Sequence, residues 1–109
     1  MGKFVIGSVV LVAFPFSDLK GKKIRPALVL AHAEFGNLIL CQITSKPYSS
    51  KKAIRIKKSD FTKGGLPIES FVRIDKLFTA DTSIIKKTAG ILNDKAKKNI
   101  LEEVHRLFI

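Results

Sequence analysis

Residues Arg25–Leu30 (RPALVL) place a cation at the start of a continuous apolar run. A second apolar run, Leu38–Ile43, ends in Thr44 and Ser45. Short apolar runs bounded by turn residues are typical of buried β-strands. Two such strands could bring the Arg25 guanidinium and the Thr44 hydroxyl together at one end of a sheet. In a chain of net charge +11, that pairing indicates phosphate chemistry.

Similar β-rich runs recur along the chain and are separated by residues that favour turns. The pattern predicts one mainly β domain over residues 1–109, either a small barrel or a sandwich. Residues 53–57 and 72–75 alternate between apolar and charged side chains, so each should place its charges on one face. The predicted strands are 8–13, 26–31, 38–43, 53–57, 71–76 and 88–91, and the predicted loops are 17–21, 35–37, 47–50 and 63–67.

The C-terminal segment has the spacing of an amphipathic helix. Asn93 can cap its first turn, because an Asn side chain accepts a hydrogen bond from an unpaired backbone N–H there. We expect this helix to dock on the barrel through an apolar stripe. The residues of that stripe are Ala96, Ile100, Val104, Leu107 and Phe108.

The charge of the chain points to a polyanionic partner. It has 20 Lys and Arg against 9 Asp and Glu, and the cations cluster in residues 20–25, 46–58 and 86–98. Clustered like charges repel one another unless a partner neutralises them. The alternative is a basic surface that is simply solvated.

The sequence gives little support for catalysis by histidine or cysteine, or for a metal site. The lone Cys41 lies in an apolar run and is expected to be a buried structural thiol. His32 and His105 are not placed to act as an acid–base pair, and their spacing to Cys41 does not suit a metal site, so we expect no metal and no cofactor. Because residues 1–7 lack a secretory pattern and no apolar run approaches the ~20 residues of a membrane span, we expect a cytoplasmic protein without membrane contact.

Four strings, at residues 7–18, 25–30, 42–45 and 72–79, resemble in this order the MazF/PemK family of growth-inhibiting toxins. The resemblance covers nearly the whole chain. It implies an SH3-like small barrel with a C-terminal helix that forms a homodimer. It also implies metal-independent cleavage of single-stranded RNA and inhibition by a cognate antitoxin protein.

The resemblance suggests two sets of catalytic residues. In the family, an arginine that opens the R-P strand and a threonine of the I-T-S turn carry catalysis, and these match Arg25 and Thr44. Some members instead use an arginine and an aspartate on a later strand, which match Arg73 and Asp75, with a histidine in the first loop. Residues 17–23 contain no histidine, so the second set is incomplete here and the choice between the sets stays open.

RNA can be cut by its own 2′-hydroxyl, which attacks the adjacent phosphorus. Arg25 suits stabilisation of the dianionic phosphorane, because a guanidinium stays charged and donates two parallel hydrogen bonds. Thr44 could donate to another phosphoryl oxygen. Asp75 could act as a base beside Arg73, although an Arg-x-Asp pair on one strand face is more often an exposed ion pair.

A basic track with a stacking ring is a common way to hold a single strand, and Tyr48 lies among cations in residues 46–58. The alternative is a solvated loop. The residues predicted to contact RNA are Ser17, Lys20, Lys22, Lys23, Ser45, Lys46, Tyr48, Lys51, Lys52 and Arg55.

Two further functions fit the same composition. One is a non-catalytic nucleic-acid-binding module on a small barrel. The other is a protein whose basic groove chiefly binds an acidic partner peptide.

Overall fold

A computed structural model describes residues 4–14, 23–46 and 51–109. Its strands form a single antiparallel sheet in the order β4-β6-β3-β2-β1-β7-β5, which curls into a half-barrel, and one helix follows at the C-terminus. The mainly β fold predicted from the sequence is therefore confirmed. The elements are β1 (Ser8–Phe14), β2 (Lys23–His32), β3 (Asn37–Thr44), β4 (Ile54–Ile56), β5 (Phe61–Gly64), β6 (Ser70–Asp81), β7 (Ile85–Leu92) and α1 (Asp94–Arg106).

The sheet buries apolar side chains on both of its faces, which explains why β1, β2 and β3 read as nearly continuous apolar runs. The side that packs against α1 is here called the helix face, and the opposite side is called the second face. On the helix face, Ile100 of the helix packs with Val9, Leu28, Cys41, Ile43 and Val72. On the second face, the buried residues include Val10, Val12, Ala27, Val29 and Leu40.

Helix α1 begins as the sequence predicts. The Asn93 side chain accepts a hydrogen bond from the Ala96 N–H at 2.8 Å, and its amide donates to the Ser59 carbonyl at 3.2 Å. The predicted stripe packs against the helix face, with one correction: Phe108 is 68% exposed. The helix ends at Arg106, so Phe108 no longer follows the helical spacing that would turn it inward.

Strand β5 was missed by the sequence analysis, which assigned residues 63–67 to a loop. It pairs with β7, and Gly64 takes a left-handed φ of +63° at the crossing. A Cβ on Gly64 would lie 2.2 Å from the Ala89 carbonyl oxygen, so only glycine allows the two backbones to approach this closely.

Strand β6 is longer than predicted because it bends instead of ending. Cys41 of β3 pairs with Leu77 of β6, whereas the next residue of β3, Gln42, pairs with Arg73. Residues 74–76 lie between these two pairs and form a bulge. Bulges increase the local bend of a strand. Before the bulge, β6 pairs with both β3 and β4, and after it β6 pairs with β3. Within the described residues, no helix is long and apolar enough to cross a membrane.

Candidate active site

Arg25 lies on β2, as its third residue rather than its first, because the strand begins at Lys23. It pairs with Val12 of β1, and its side chain is exposed. Along β2, Arg25 alternates in phase with Ala27 and Val29, which are buried on the second face. Its guanidinium therefore stands at the edge of that face, where a ligand from solvent can reach it.

Thr44 ends β3 on the same face, in phase with Gln42 and Leu40. The Lys46 backbone N–H donates a hydrogen bond to Thr44 Oγ1 at 3.1 Å. That bond occupies an acceptor site of the hydroxyl and orients the oxygen. A hydroxyl also carries one O–H donor, so Thr44 can offer a proton to an anion.

Arg25 and Thr44 lie on neighbouring strands, near the same end of the sheet. The last paired residues of β2 and β3 toward this end are Ala27 and Gln42, and Arg25 and Thr44 each lie two residues beyond that pair. Both residues also line one pocket of about 260 Å³ at the end of the half-barrel. The two residues that the sequence predicts to converge therefore line the same pocket.

Apolar residues form most of this pocket. Pro26 and Ile43 belong to the helix face by strand alternation, so Arg25 and Thr44 border the pocket instead of forming its floor. The full lining is Leu11, Ile24, Arg25, Pro26, Ile43, Thr44, Ser45, Leu66, Pro67, Ile68 and Ser70.

Arg73 and Asp75 lie one step further along the second face, where Gln42 pairs with Arg73. Arg73 Nη2 donates to Asp75 Oδ2 at 3.2 Å, and Nε donates to Oδ1 at 3.4 Å. The two side chains are 17% and 35% exposed, so Arg73 is half-buried while Asp75 remains exposed. The two hydrogen bonds fix the direction of the carboxylate relative to Arg73.

The residues predicted to contact RNA are only partly described. Ser17, Lys20, Lys22 and Tyr48 lie outside the described residues. Lys23, Ser45, Lys46, Lys51, Lys52 and Arg55 are all exposed. Of these, Ser45 lines the 260 Å³ pocket, and Arg55 forms an ion pair with Glu69.

The structure adds features that the sequence did not indicate. Residues 66–68 form a wall between the first pocket and a second one of about 390 Å³. Lys57 and Lys58 line the second pocket together with Arg55. Three of the cations in residues 46–58 therefore border this pocket. Gln42, a polar residue at the end of an apolar run, pairs with Arg73, a contact that its sequence context does not indicate.

Histidine and cysteine lie apart from this site. His32 is exposed at the end of β2, with Nε2 2.7 Å from the Phe4 carbonyl oxygen, and His105 is exposed on α1. Cys41 is fully buried, as predicted, and burial raises the pKa of its thiol to about 12. Cys41 therefore stays protonated and unreactive near neutral pH. Among the described residues, no group of three or more His, Cys, Asp or Glu side chains is placed to hold a metal ion.

Solved structures with the same fold include several toxins. The chain superposes on Mycobacterium tuberculosis toxin MazF-mt6 with a TM-score of 0.69 and 18% identity, covering 93% of this chain and 95% of that one. For a MazE–MazF structure from Deinococcus radiodurans the values are 0.71 and 20%, covering 93% and 92%. For an endoribonuclease in complex with its cognate antitoxin from a mycobacterial species they are 0.67 and 16%, covering 98% and 93%. At these identities, the matches establish the shared fold.

A comparison with curated protein sequences finds no significant match. A family model, by contrast, matches residues 6–108, which is almost the entire chain. The match includes all four residues of the candidate site, Arg25, Thr44, Arg73 and Asp75. This chain belongs to the family of PemK-like and MazF-like toxins of type II toxin–antitoxin systems.

Proposed function

We propose that this chain is a metal-independent endoribonuclease that cleaves single-stranded RNA and so acts as the toxin of its toxin–antitoxin pair. The observation that supports the proposal most strongly is that Arg25 and Thr44, on neighbouring strands, border one pocket. An exposed guanidinium and an oriented hydroxyl form a ready-made site for a phosphodiester. The 2′-oxygen forms a bond to phosphorus, the bond from phosphorus to the 5′-oxygen breaks, and the departing 5′-oxygen takes a proton from water. The proposed products are a 2′,3′-cyclic phosphate and a 5′-hydroxyl.

The first requirement of the proposed reaction is stabilisation of the negative charge that develops on the phosphorane. As the 2′-oxygen attacks, negative charge accumulates on the non-bridging oxygens of the phosphorane. Arg25 donates to these oxygens through its planar fork, and Thr44 donates its O–H to one of them. Because both groups are held by paired strands, they need little reorganisation as the charge develops, which is what makes such donors effective.

Proton removal from the 2′-hydroxyl is assigned to Asp75. Arg73 holds this carboxylate through two hydrogen bonds, at 3.2 and 3.4 Å, which sets its direction. Arg73 itself stands diagonally from Thr44 across the β3–β6 pair, a Cβ separation of ~7–8 Å. A substrate bound between the two rows can therefore contact Thr44 and Asp75 at once. Arg73 acts as the residue that positions the base.

The proposed partners follow from charge and family. The exposed cations Lys23, Lys46, Lys51, Lys52 and Arg55 favour binding of the RNA backbone. An acidic segment of a cognate antitoxin could occupy the same basic surface and exclude RNA by competition. We also propose that the chain acts as a homodimer.

The proposal is tested by incubating purified protein with mixed RNA in EDTA and analysing the new ends. We expect cleavage at discrete sites, with 2′,3′-cyclic phosphate and 5′-hydroxyl ends. Folded protein that binds RNA with salt-sensitive affinity but returns it intact would contradict the proposal and favour a non-catalytic binding module. Cleavage that occurs only when a divalent cation is restored would contradict its metal independence.

A further inference from the structure

Phe71 is an aromatic side chain that core packing does not explain. It is partly exposed on β6. In the part of the chain that the structure describes, Phe78 and Ile85 are among the partly buried side chains that pack against the core of the second face, and Phe61 packs against the core of the helix face. Phe71 belongs to neither set. An aromatic ring at a sheet surface, outside both cores, is available to a ligand.

The strand register places Phe71 in line with the candidate active site. Thr44 of β3 pairs with Phe71 of β6, and Phe71 pairs with Arg55 of β4. Val72 and Ile56 are buried on the helix face, so their neighbours Phe71 and Arg55 belong to the second face, as Thr44 does. The row Arg25–Thr44–Phe71–Arg55 therefore crosses four adjacent strands on one face.

The spacing of this row suits an extended strand of nucleic acid. Neighbouring strands lie ~4.8 Å apart, so the Arg55 backbone is about 10 Å from that of Thr44 and about 14 Å from that of Arg25. The row has a cation at each end, with the hydroxyl and the aromatic ring between them. Single-stranded RNA offers the matching alternation of phosphates and bases, because every base has a face that can stack on an aromatic ring.

Arg55 is able to exchange its present partner for a phosphate. It pairs with Glu69, and the two side chains are 59% and 48% exposed. Exposed ion pairs contribute little to stability, so a phosphate can replace the Glu69 carboxylate at small cost. A phosphate also offers a guanidinium the same bidentate geometry as a carboxylate.

We propose that Phe71 and Arg55 form a nucleotide subsite next to the reaction centre. The base of a nucleotide neighbouring the scissile phosphate stacks on Phe71, and the phosphate of that nucleotide binds Arg55. This inference rests on the proposed function, since it extends the same RNA path beyond Arg25 and Thr44. In this subsite, Phe71 sets the affinity of the enzyme for the base at one position of the RNA and does not contact the reacting atoms.

The first test measures binding of single-stranded RNAs roughly 12 nucleotides long, within the site sizes typical of single-strand binders. The RNAs are 2′-O-methylated to prevent cleavage, and each lacks a different base. Phe71→Ala should weaken binding of the intact strand about 5- to 150-fold. The loss should vanish on the strand that lacks the stacked base. Phe71→Trp should bind at least as tightly as the wild type, and Phe108→Ala should change nothing.

The second test concerns Arg55. Arg55→Gln should make the plot of log affinity against log salt shallower by about 0.7, the contribution of one phosphate contact on a single strand. The control is Arg106→Gln, an exposed arginine of α1 that is paired with Glu103. Its salt slope should match that of the wild type.

The subsite is overturned if Phe71→Ala, with a wild-type thermal transition, loses the same affinity on every abasic strand. It is equally overturned if Phe71→Ala is misfolded but Phe71→Leu folds and binds normally. Tighter binding of an acidic peptide than of RNA, lost in Phe71→Ala, would assign the row to a protein partner instead. If the wild type cuts no RNA, the proposed function fails while these binding measurements still decide the subsite.

Discussion

Two arginines lie on adjacent rows of the second face and have opposite surroundings. Arg73 is largely buried and is held by Asp75 through two hydrogen bonds. Arg25 is exposed, and among residues 4–14, 23–46 and 51–109 no carboxylate forms an ion pair with it. We expect Arg73, which has Asp75 as its counter-ion, to organise the site, and Arg25 to bind the substrate. The two rows would then have different roles in the proposed reaction.

The largest expected effect separates these roles. Asp75→Asn removes the proposed base but keeps an acceptor for Arg73, so kcat should fall about 10²- to 10⁴-fold. The acid limb of the pH profile of kcat should disappear, because a carboxylate base is active only when deprotonated. Asp75→Glu should retain that limb.

Asp94→Asn is the matched control, since Asp94 is an exposed carboxylate that pairs with Lys97 on α1. Its kcat should equal that of the wild type. An Asp75→Asn variant that keeps the acid limb while losing activity would show that Asp75 is structural and not the base.

Thr44 should give the next largest effect. Thr44→Val keeps the shape of the side chain but removes the donor to the phosphorane, so kcat should fall about 10- to 100-fold, the usual value of a hydrogen bond to a charged group. Thr44→Ser should restore most of the rate. Equal losses in both variants, measured at saturating RNA, would contradict the assignment, because Thr44→Ser keeps both the O–H donor and the acceptor for the Lys46 N–H.

The smallest expected effect concerns the exposed ion pair between Arg55 and Glu69, at the end of the row that Arg55 forms with Phe71 and Thr44. Glu69→Gln removes the competitor for Arg55, so RNA affinity should rise by a fewfold, in line with the ~0–1 kcal/mol of an exposed ion pair. Filter binding at low salt measures this change. Weaker binding in Glu69→Gln would mean that Glu69 holds Arg55 in its binding position.

The sequence predicts the parts of this fold that depend on local pattern. Apolar runs marked β1, β2 and β3, and Asn93 marked the start of α1, because burial and capping leave direct traces in the residues. Strand β5 left no such trace, since it is short, largely exposed and ends in Gly64. Its strand conformation comes from pairing with β7, which is a contact between distant segments.

In the candidate site too, some features could be predicted from the sequence and others could not. That Arg25 and Thr44 lie at the same end of the sheet and line one pocket could be predicted, because each position follows from where an apolar run begins or ends. The row through Phe71 could not, because it depends on the register of β6, and that register is shifted by the bulge at residues 74–76. A pattern of alternating residues reveals which side chains share a face of one strand, but it does not reveal their neighbours on the next strand.

The most direct test of the account is the single-turnover cleavage rate of Arg25→Ala at saturating RNA in EDTA. If Arg25 stabilises the phosphorane, the rate should fall about 10²- to 10³-fold with little change in thermal stability. Arg25→Lys should recover little of the loss, because an ammonium lacks the planar fork. Arg106→Ala, the control, should cleave at the wild-type rate. An Arg25→Ala protein that cuts RNA within a fewfold of the wild-type rate would contradict the assignment of Arg25 as the residue that stabilises the transition state.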